Sequence, residues 1–399
     1  MVYQNGGPGS ENPDGSDPPV QLVVSAAWPV RVGAMPPLAE RYTLRPESGH
    51  DVALALTRNP AVALTPRVHG ADATPSHDLL RCTGKTQLAV QCAESQWQAR
   101  AVDLLIWIDG STRTSVLLGY ADVATAITGS RPAGTVEAVT ASFLYWLSQT
   151  KQRWLIFIDD VPDAEVMEGL WPVGAAGRVV ITTRSVEALV GQPDVLILEV
   201  GSFSPREAMS YLLSRLSQDS DQRRGAFALI EDLGCQPLAL TQATGAIGSS
   251  WLTCADYREQ FYQRMRAMAA SGGLPPAAGV TWTFSLELAR RIVPAEVAQS
   301  CLAVAALLDG HGTPAALFET EAARDYIAGT QRLRAQAAER VQAALTALEL
   351  GGLLQLDRQS DPSLVRMNPA LQRVVRLAMS PDLAEQAVQA AAAAVLEAW

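Results

Sequence analysis

Four predominantly apolar runs of strand length constrain the fold of this 399-residue chain more than any other feature. Helical periodicity at 115–127 and 136–147 follows the first of them. Runs that are apolar on both faces and alternate with helices are typical of a parallel sheet covered on both sides. Residues 20–201 are therefore predicted to form an α/β domain of three layers. The runs are VDLLIWID at 102–109, WLIFID at 154–159, RVVITT at 178–183 and VLILEV at 195–200.

The strand signal stops after Gly201, and helical patterns follow one another. We expect an all-α lid domain at 202–275, a winged-helix domain at 276–380 and a C-terminal helix at 381–399 that leads into further chain. A Gly/Pro-rich stretch at 271–276 marks the first boundary. The predicted helices are 205–216, 222–233, 237–245, 254–270, 285–289, 295–308, 315–320 and 332–350, and the short apolar runs 353–356 and 364–367 predict a hairpin.

The composition excludes several classes of protein. A net charge of -10 and a pI near 5.0 argue against nonspecific binding to nucleic acid or to anionic membranes. The five cysteines form no C-x-x-C pair, and the four histidines lack metal-ligand spacing. No apolar run approaches the roughly 20 residues of a membrane span, and no signal peptide is evident. We expect a cytoplasmic protein whose Gly/Pro/Ser/Asp-rich residues 1–19 are disordered.

The tripeptide Gly84-Lys85-Thr86 follows a β-branched run at 61–65 and opens an amphipathic stretch at 85–97. In a phosphate-binding loop, the glycine lets backbone N–H groups approach phosphate oxygens, the lysine reaches the β/γ-phosphates, and the threonine hydroxyl holds Mg²⁺. Such a tripeptide also occurs at ordinary helix starts. The chain contains only two lysines, Lys85 and Lys151. A lysine in this tripeptide of an arginine-rich chain favours a role for its compact ammonium group, and so favours the phosphate-binding interpretation.

Two later runs end in charged residues that suit the same chemistry. The run 154–159 ends in Asp159-Asp160, where one carboxylate can hold Mg²⁺ and the other can polarise an attacking water. Asp-rich turn chemistry is the alternative. This run lies about 70 residues after Gly84, with one strand between them, which favours the functional interpretation. Arg184 ends the next strand, where it can pair with a γ-phosphate, although a surface arginine is the simpler interpretation.

These motifs resemble the NB-ARC branch of the signal-transducing STAND ATPases, relatives of apoptosome and plant-resistance switches. The likeness is greatest to bacterial regulators of this type in actinomycete-like chains. It spans residues 30–380 and includes six features in the same order. They are RVGAMPPLAERYTLRPE at 31–47, called the lead segment here, GKTQLA at 84–89, LIFIDD at 155–160, VVITTR at 179–184, LGCQPLAL at 233–240 and VRMNP at 365–369.

The chain departs from the family pattern at five positions. Leu79 and Cys82 replace glycines of the phosphate loop, and Cys235 replaces the first glycine of the GLPL motif. Asn368 stands where the family has a histidine that senses ADP, and Pro369 stands where it has an aspartate. The resemblance therefore leaves open whether the loop still hydrolyses ATP.

The resemblance implies a switch that ADP closes and ATP opens, with weak ATPase activity, Mg²⁺ as cofactor and self-association on activation. The signal and effector, or repeat domains, would lie outside this chain. The resemblance implies catalytic roles for Lys85, Asp159 and Asp160. It implies that Thr86 and Asp159 bind the metal ion. The nucleotide-binding set implied by the resemblance is Arg45, Gly84, Lys85, Thr86, Gln87, Arg184, Pro237 and Asn368, with Pro237 against adenine and Arg184 sensing the γ-phosphate.

Two other functions belong to different classes. The first is a degenerate scaffold that binds nucleotide poorly or not at all and acts through protein contacts. Leu79 and Cys82 favour this alternative. The residues that oppose it are the intact Lys85, Thr86, Asp159 and Asp160. The second is DNA binding by the winged helix. Between 332 and 376 the arginines only modestly outnumber the acids, so a solvated face is favoured and nucleic acid is not expected as a partner. The seven arginines are Arg332, Arg334, Arg340, Arg358, Arg366, Arg373 and Arg376, against Glu339, Glu349, Asp357 and Asp361.

Overall fold

The structure of the chain is a computed structural model that describes residues 22–39, 42–67, 82–192, 194–216, 220–250, 252–269, 277–329 and 336–398. The described residues form two compact units. The first, called the sheet unit, comprises residues up to 35, 51–65 and 91–198. The second, called the helical unit, comprises 36–50, 66–90 and residues from 199 onward. The predicted disorder of 1–19, the loop that contains Leu79 and the boundary at 271–276 lie outside the described residues.

Six strands within the described residues form one sheet, in the order β1-β3-β4-β5-β2-β6. The pairs β1–β3, β3–β4, β4–β5 and β2–β5 are parallel. This confirms the predicted α/β parallel sheet. The strands are β1 Val30–Val32, β2 Ala61–Pro66, β3 Leu104–Asp109, β4 Trp154–Val161, β5 Gly177–Thr183 and β6 Val195–Val200.

The central strands are buried on both faces because their sequences are apolar throughout. One face packs Ile106, Ile156 and Ile181 into a core with the helices between β3 and β4. On the other face, Trp107 stacks on Phe157 with ring centroids 5.3 Å apart. Strand β1 was not predicted from the sequence, because three residues are too few to show a period.

The helices in the first half of the chain begin and end at recognisable caps. Helix α3 starts after Thr112, whose hydroxyl accepts the backbone N–H of Ser115, and it ends at Gly129, with φ 76°. Helix α1 begins at Pro46, because proline suits the first turn of a helix. These helices are α1 Pro46–Arg58, α2 Lys85–Gln98, α3 Arg113–Thr128 and α4 Val136–Gln149.

The sheet order determines where a ligand is expected. Strand β2 lies between β5 and β6, while the chain that leaves β2 continues to β3, two places beyond β5. Such a reversal of strand order is a switch point, and ligands of open parallel sheets bind outside the carboxyl ends of the strands there. The carboxyl ends of β4 and β5 are therefore the first place to look for chemistry in the sheet unit.

The helical unit consists of helices and a small sheet around one apolar core. That core contains residues from Ala208 to Ala394, so it includes parts of both predicted domains. Strands β7 Thr313–Pro314, β8 Gln355–Asp357 and β9 Leu364–Arg366 pair antiparallel in the order β7-β9-β8. The helices are α5 Pro205–Arg215, α6 Ala226–Asp232, α7 Pro237–Ser250, α8 Cys254–Ala269, α9 Ala277–Ile292, α10 Ala295–Leu307, α11 Glu321–Ala328, α12 Ala337–Leu350, α13 Pro369–Ala378 and α14 Pro381–Ala398.

Most of the helices predicted in this unit are present with shifted bounds, whereas α11 and α13 lie where no helix was predicted. The predicted hairpin is present as β8 and β9, and the stretch predicted as a helix at 315–320 is a short 3₁₀ turn, Ala315–Glu319. Across the described ranges, none of the helices combines the length and apolar character that crossing a bilayer requires.

Candidate functional site

The carboxyl end of β4 carries Asp159 and Asp160, the predicted catalytic carboxylates. Asp159 is buried, with 5% of its surface exposed. Its Oδ1 accepts a hydrogen bond of 2.5 Å from the hydroxyl of Thr182 on β5. The same hydroxyl accepts a 2.8 Å hydrogen bond from the backbone N–H of Asp160. One threonine, which the sequence analysis did not select, thus contacts both carboxylate residues.

Asp160 has an unusual backbone conformation. Its φ is 60°, in the left-handed region that asparagine and aspartate tolerate better than most residues. The register between β4 and β5 shifts between Ile158 and Val161, so Asp160 lies in an irregularity of the strand pair. Its Oδ1 lies 3.3 Å from Nε of Arg184, and the two side chains are 32% and 31% exposed. The predicted water-orienting carboxylate and the predicted phosphate sensor are therefore an ion pair.

A third carboxylate, Asp109, ends β3 and is the register partner of Asp159. It is exposed and accepts two 2.9 Å hydrogen bonds from the backbone N–H and the hydroxyl of Ser111, which close a turn. No group of three or more His, Cys, Asp or Glu side chains in the described residues could hold a metal ion. Mg²⁺ needs no such group, since it is usually bound by one or two carboxylates together with substrate phosphates. The carboxylate of the buried Asp159 fits that requirement.

In the helical unit, Gly84 stands immediately before α2 with φ 83°. Residues other than glycine rarely adopt this conformation, and a Cβ added here would meet only Arg45 Nη1, at 3.9 Å. Lys85 and Thr86 are half-buried in the first turn of α2, which contains no acidic residue. The exposed N–H groups and the dipole of such a helix start favour an anion.

Arg45 connects the lead segment to the residues before α2. Its Nη1 donates to the carbonyl of Thr83 at 2.8 Å, and its Nη2 donates to the carbonyls of Gly201 and Ser202 at 3.1 and 3.0 Å. Its Nε lies 3.7 Å from a carboxylate oxygen of Glu207, and only 4% of Arg45 is exposed. Burial lowers the pKa of Arg45, and Glu207 opposes that shift. The guanidinium group is thus directed at the main chain.

A cleft in the helical unit brings together four of the predicted nucleotide-binding residues. Its volume is about 160 Å³, close to the roughly 150 Å³ of an engineered apolar cavity that binds benzene. Burial raises the pKa of Tyr42, in the wall of the cleft, to about 12. Residues lining the cleft include the predicted Arg45, Gly84, Gln87 and Pro237, and also Tyr42, Phe203, Tyr211, Thr241, Glu349 and Leu354.

Gln87 holds the lead segment against the first turn of α2. Its side-chain oxygen accepts the backbone N–H of Ala39 at 2.5 Å, and its side-chain nitrogen donates to the carbonyl of Pro37 at 3.2 Å. Both ends of the amide group are therefore used. These two hydrogen bonds hold Ala39, which also lines the cleft, against the start of α2.

Asn368 has a local role that the sequence analysis did not foresee. It is the N-cap of α13, and its side-chain oxygen accepts the backbone N–H of Ala370 at 2.9 Å. Pro369 follows at the first helical position, which suits proline. The thiol of Cys82 lies 3.5 Å from the same side-chain oxygen. Asn368 thus contacts the residue two positions before Gly84.

The structure divides the predicted site residues between its two units. Asp159, Asp160 and Arg184 lie in the sheet unit, where they form one cluster with Thr182. The other predicted residues lie in the helical unit, where Arg45, Gly84, Gln87 and Pro237 line the cleft. Thr182 gave only a weak signal in the sequence, as part of a polar Thr-Thr pair that ends an apolar strand. Glu349 and Leu354 gave none, because they lie more than 100 residues from Pro237.

No protein-family model matches this chain, and no curated protein does. Among solved structures, the chain is similar to a STAND protein with a tetratricopeptide repeat sensor from Pyrococcus horikoshii, at 13% identity and a TM-score of 0.49. That match covers 89% of this chain and 46% of the other, so this chain spans less than half of that protein. A Walker-type ATPase of Pyrococcus abyssi matches at 13% identity and a TM-score of 0.37, over 85% of this chain and 97% of the other. The ORC2 protein of Aeropyrum pernix, in ADPNP–ADP complexes, matches at 12% and 0.32, over 91% and 97%.

Proposed function

We propose that this chain is an ADP/ATP-dependent switch of the STAND/NB-ARC class with slow ATP hydrolysis. The observation that carries the proposal is the start of α2. Gly84 is left-handed, Lys85 and Thr86 occupy the first turn, and no carboxylate in that turn competes with a phosphate. This is the arrangement through which backbone N–H groups and a lysine bind the phosphates of a nucleotide.

The residue roles follow from the chemistry of each side chain. Lys85 and Thr86 bind phosphate, Thr86 and Asp159 hold Mg²⁺, and Asp160 orients the attacking water. A bound Mg²⁺ neutralises charge that develops on the phosphates during transfer. Arg184 pairs with the γ-phosphate, since a guanidinium group forms strong charge-assisted hydrogen bonds to phosphate oxygens.

The closed state is assigned to the helical unit. We assign residues 202–275 to a lid and 276–380 to a winged helix. Pro237 of the lid and Glu349 and Leu354 of the winged helix line the same cleft, whose volume suits an aromatic base. ADP bound there would contact both domains and hold them together. ATP would open them and permit self-association, with effector or repeat domains outside this chain.

The two lysines of the chain provide a matched test of this proposal. Lys85→Ala is expected to weaken ATP binding by at least about tenfold, since each hydrogen bond to a charged group contributes roughly 1.5–3 kcal/mol. Lys151→Ala removes an exposed lysine and should bind ATP like the wild type. Titration calorimetry measures the ATP affinity of the two variants and the wild type. Nucleotide extracted from each purified protein is analysed alongside. If Lys85→Ala binds ATP as tightly as the wild type, the phosphate-loop assignment is wrong. A wild-type chain that binds no ATP would favour the scaffold alternative.

Binding of ADP also tests the closed state. A ligand that binds only the folded chain stabilises it by RT ln(1 + [L]/Kd), about 2.7 kcal/mol at a hundredfold excess over Kd. ADP should therefore raise the melting temperature and, by holding the two assigned domains together, reduce the radius of gyration in solution scattering. If ADP changes neither quantity, the switch assignment fails.

A further inference from the structure

Thr182 has a hydroxyl group whose two hydrogen bonds have defined directions. The backbone N–H of Asp160 can only donate, so the Thr182 oxygen accepts in that bond. The single hydroxyl proton is then available for Oδ1 of Asp159. Thr182 is 3% exposed, so water does not compete freely for either bond. The bonding pattern of this buried hydroxyl is therefore determined by its neighbours.

These two bonds set the relative orientation of the adjacent carboxylates. Donation to Oδ1 restricts rotation of the Asp159 side chain. Acceptance from the backbone N–H holds Asp160 where φ is 60° and its carboxylate meets Arg184 at 3.3 Å. Removal of the hydroxyl would release both restraints at once, because a single oxygen atom makes both contacts.

We propose that Thr182 is a positioning residue for this carboxylate pair: it orients Asp159 toward a divalent cation and keeps Asp160 apart, beside Arg184. The assignment rests on the proposed function and adds a residue to it. Thr182 acts through Asp159 and Asp160 and so differs from the residues that bind phosphate. Loss of a partner that orients a metal-ligating side chain typically costs about 10- to 100-fold in metal affinity or activity.

The next residue along β5 is a matched control. Thr183 is fully buried, at 0% exposed, and the single proton of its hydroxyl is shared by the main-chain carbonyls of Val161 and Ser185, at 2.7 and 3.0 Å. Thr182→Val and Thr183→Val therefore make the same chemical change at neighbouring buried positions of one strand. Only the first removes a hydroxyl that contacts Asp159.

The experiment measures Mn²⁺ binding to the ADP complex by electron paramagnetic resonance, with kcat and KM for ATP. Thr182→Val should weaken Mn²⁺ by about 10- to 100-fold and lower kcat, with KM and metal-free ADP affinity little changed. Thr183→Val should retain wild-type Mn²⁺ affinity even where its melting temperature falls. Thr182→Ser keeps the hydroxyl and should restore the wild-type values.

The outcomes separate this inference from the proposed function. Equal Mn²⁺ affinities for Thr182→Val and Thr183→Val in a chain that binds ADP overturn the role of Thr182 alone. A wild-type chain that binds no ADP overturns the proposed function, and the role of Thr182 with it. If Thr182→Val does not fold, Thr182→Ser decides, because a tenfold loss of Mn²⁺ affinity in a variant that keeps the hydroxyl contradicts the assignment.

Discussion

In the sheet unit the candidate site residues lie at the ends of neighbouring strands. In the helical unit they lie on separate segments of the chain that are connected by hydrogen bonds from long side chains. Asp159 and Thr182 meet because β4 and β5 are adjacent, and short side chains are long enough to connect them. In the helical unit, Arg45 reaches the carbonyls of Thr83 and Ser202, which are far apart in the sequence. The first arrangement depends on strand register and the second on a few individual side chains.

The difference predicts different consequences of mutation. In a register-determined site, removal of one hydroxyl leaves the strands paired, so binding and chemistry change more than stability does. Where one guanidinium group connects several segments, its removal leaves buried carbonyls without partners and destabilises the unit itself. Four substitutions test this contrast, and they are ordered by the size of the expected effect on stability.

The largest effect is expected for Arg45→Ala. The substitution leaves the carbonyls of Thr83, Gly201 and Ser202 without their donor and Glu207 without its nearby cation. Breaking a buried charged contact of this kind costs about 3–5 kcal/mol. Denaturant unfolding measures the loss. Arg153→Ala is the control, since Arg153 pairs with Asp103 at the surface with 56% of its side chain exposed. Similar losses in the two variants would contradict the contrast between the units.

Much of the sheet unit could be predicted from the sequence because register and burial leave a local signal. Strands that are buried on both faces read as apolar runs, so β3 to β5 were predicted within two residues of their observed bounds. The edge strand β6 is more exposed, but its apolar side chains gave the same signal in the sequence. Strand β1 was missed because it is only three residues long. The carboxylates at the end of β4 were also predicted, since a charged pair after an apolar run is conspicuous.

The connections in the helical unit left little signal in the sequence. Arg45 was assigned to the nucleotide, and that role stays a prediction. The three carbonyls that its guanidinium contacts were not foreseen, because a sequence does not show which groups a long side chain reaches. Thr182 was overlooked for a related reason. A threonine is a common strand former, and only the pairing of β4 with β5 shows that its hydroxyl meets Asp159.

The second effect concerns register in the sheet unit. Gly177 is the register partner of Trp154, and a Cβ added there would lie 1.8 Å from the indole ring. Gly177→Ala should therefore cost about 1–3 kcal/mol of unfolding free energy through overpacking. Gly248→Ala in α7 is the control, since an added Cβ meets nothing within 4 Å and alanine favours a helix by about 0.5–1 kcal/mol. A Gly177→Ala variant as stable as the wild type would show that this register position is not constrained.

The third effect is smaller and local to the cleft. Gln87→Ala removes two hydrogen bonds that hold Pro37 and Ala39, each worth about 0.5–1.5 kcal/mol at most in a partly exposed setting. Hydrogen exchange at the Ala39 amide should accelerate, while amides in β4 and β5 keep their protection. Gln98→Ala, at the exposed end of α2, should leave Ala39 unchanged. Unaltered exchange at Ala39 in Gln87→Ala would show that the lead segment is held by other contacts.

The smallest effect is expected from Asp357→Asn in the small sheet of the helical unit. Hydrogen bonds from Ser360 and Arg366 lower the pKa of Asp357 well below its usual 3.8. The pKa of Asp357 is lower in the folded chain than in the unfolded chain. The two hydrogen bonds therefore stabilise the folded chain at every pH above the pKa of Asp357 in the unfolded chain. That contribution is lost as the pH falls through the lowered pKa of the folded state. Asparagine cannot titrate, so the melting temperatures of variant and wild type should differ slightly at pH 7. They should begin to approach each other below about pH 4, the ordinary pKa of an aspartate, and meet only as the pH falls through the lowered pKa of the folded chain.

Asp361→Asn provides the control for this pH dependence, because Asp361 is exposed in the same turn. It should leave the acid branch of the stability curve as in the wild type. A constant difference between Asp357→Asn and the wild type from pH 7 to pH 3 would mean that the loss comes from geometry and not from charge. Convergence would show that the ionised carboxylate of Asp357 stabilises the small sheet through its contacts with Ser360 and with Arg366, each at 2.7 Å. The small sheet would then resemble the cleft, because in both places an arginine side chain connects separate segments of the chain. In the small sheet the connected strands are already neighbours, so the stabilisation is small.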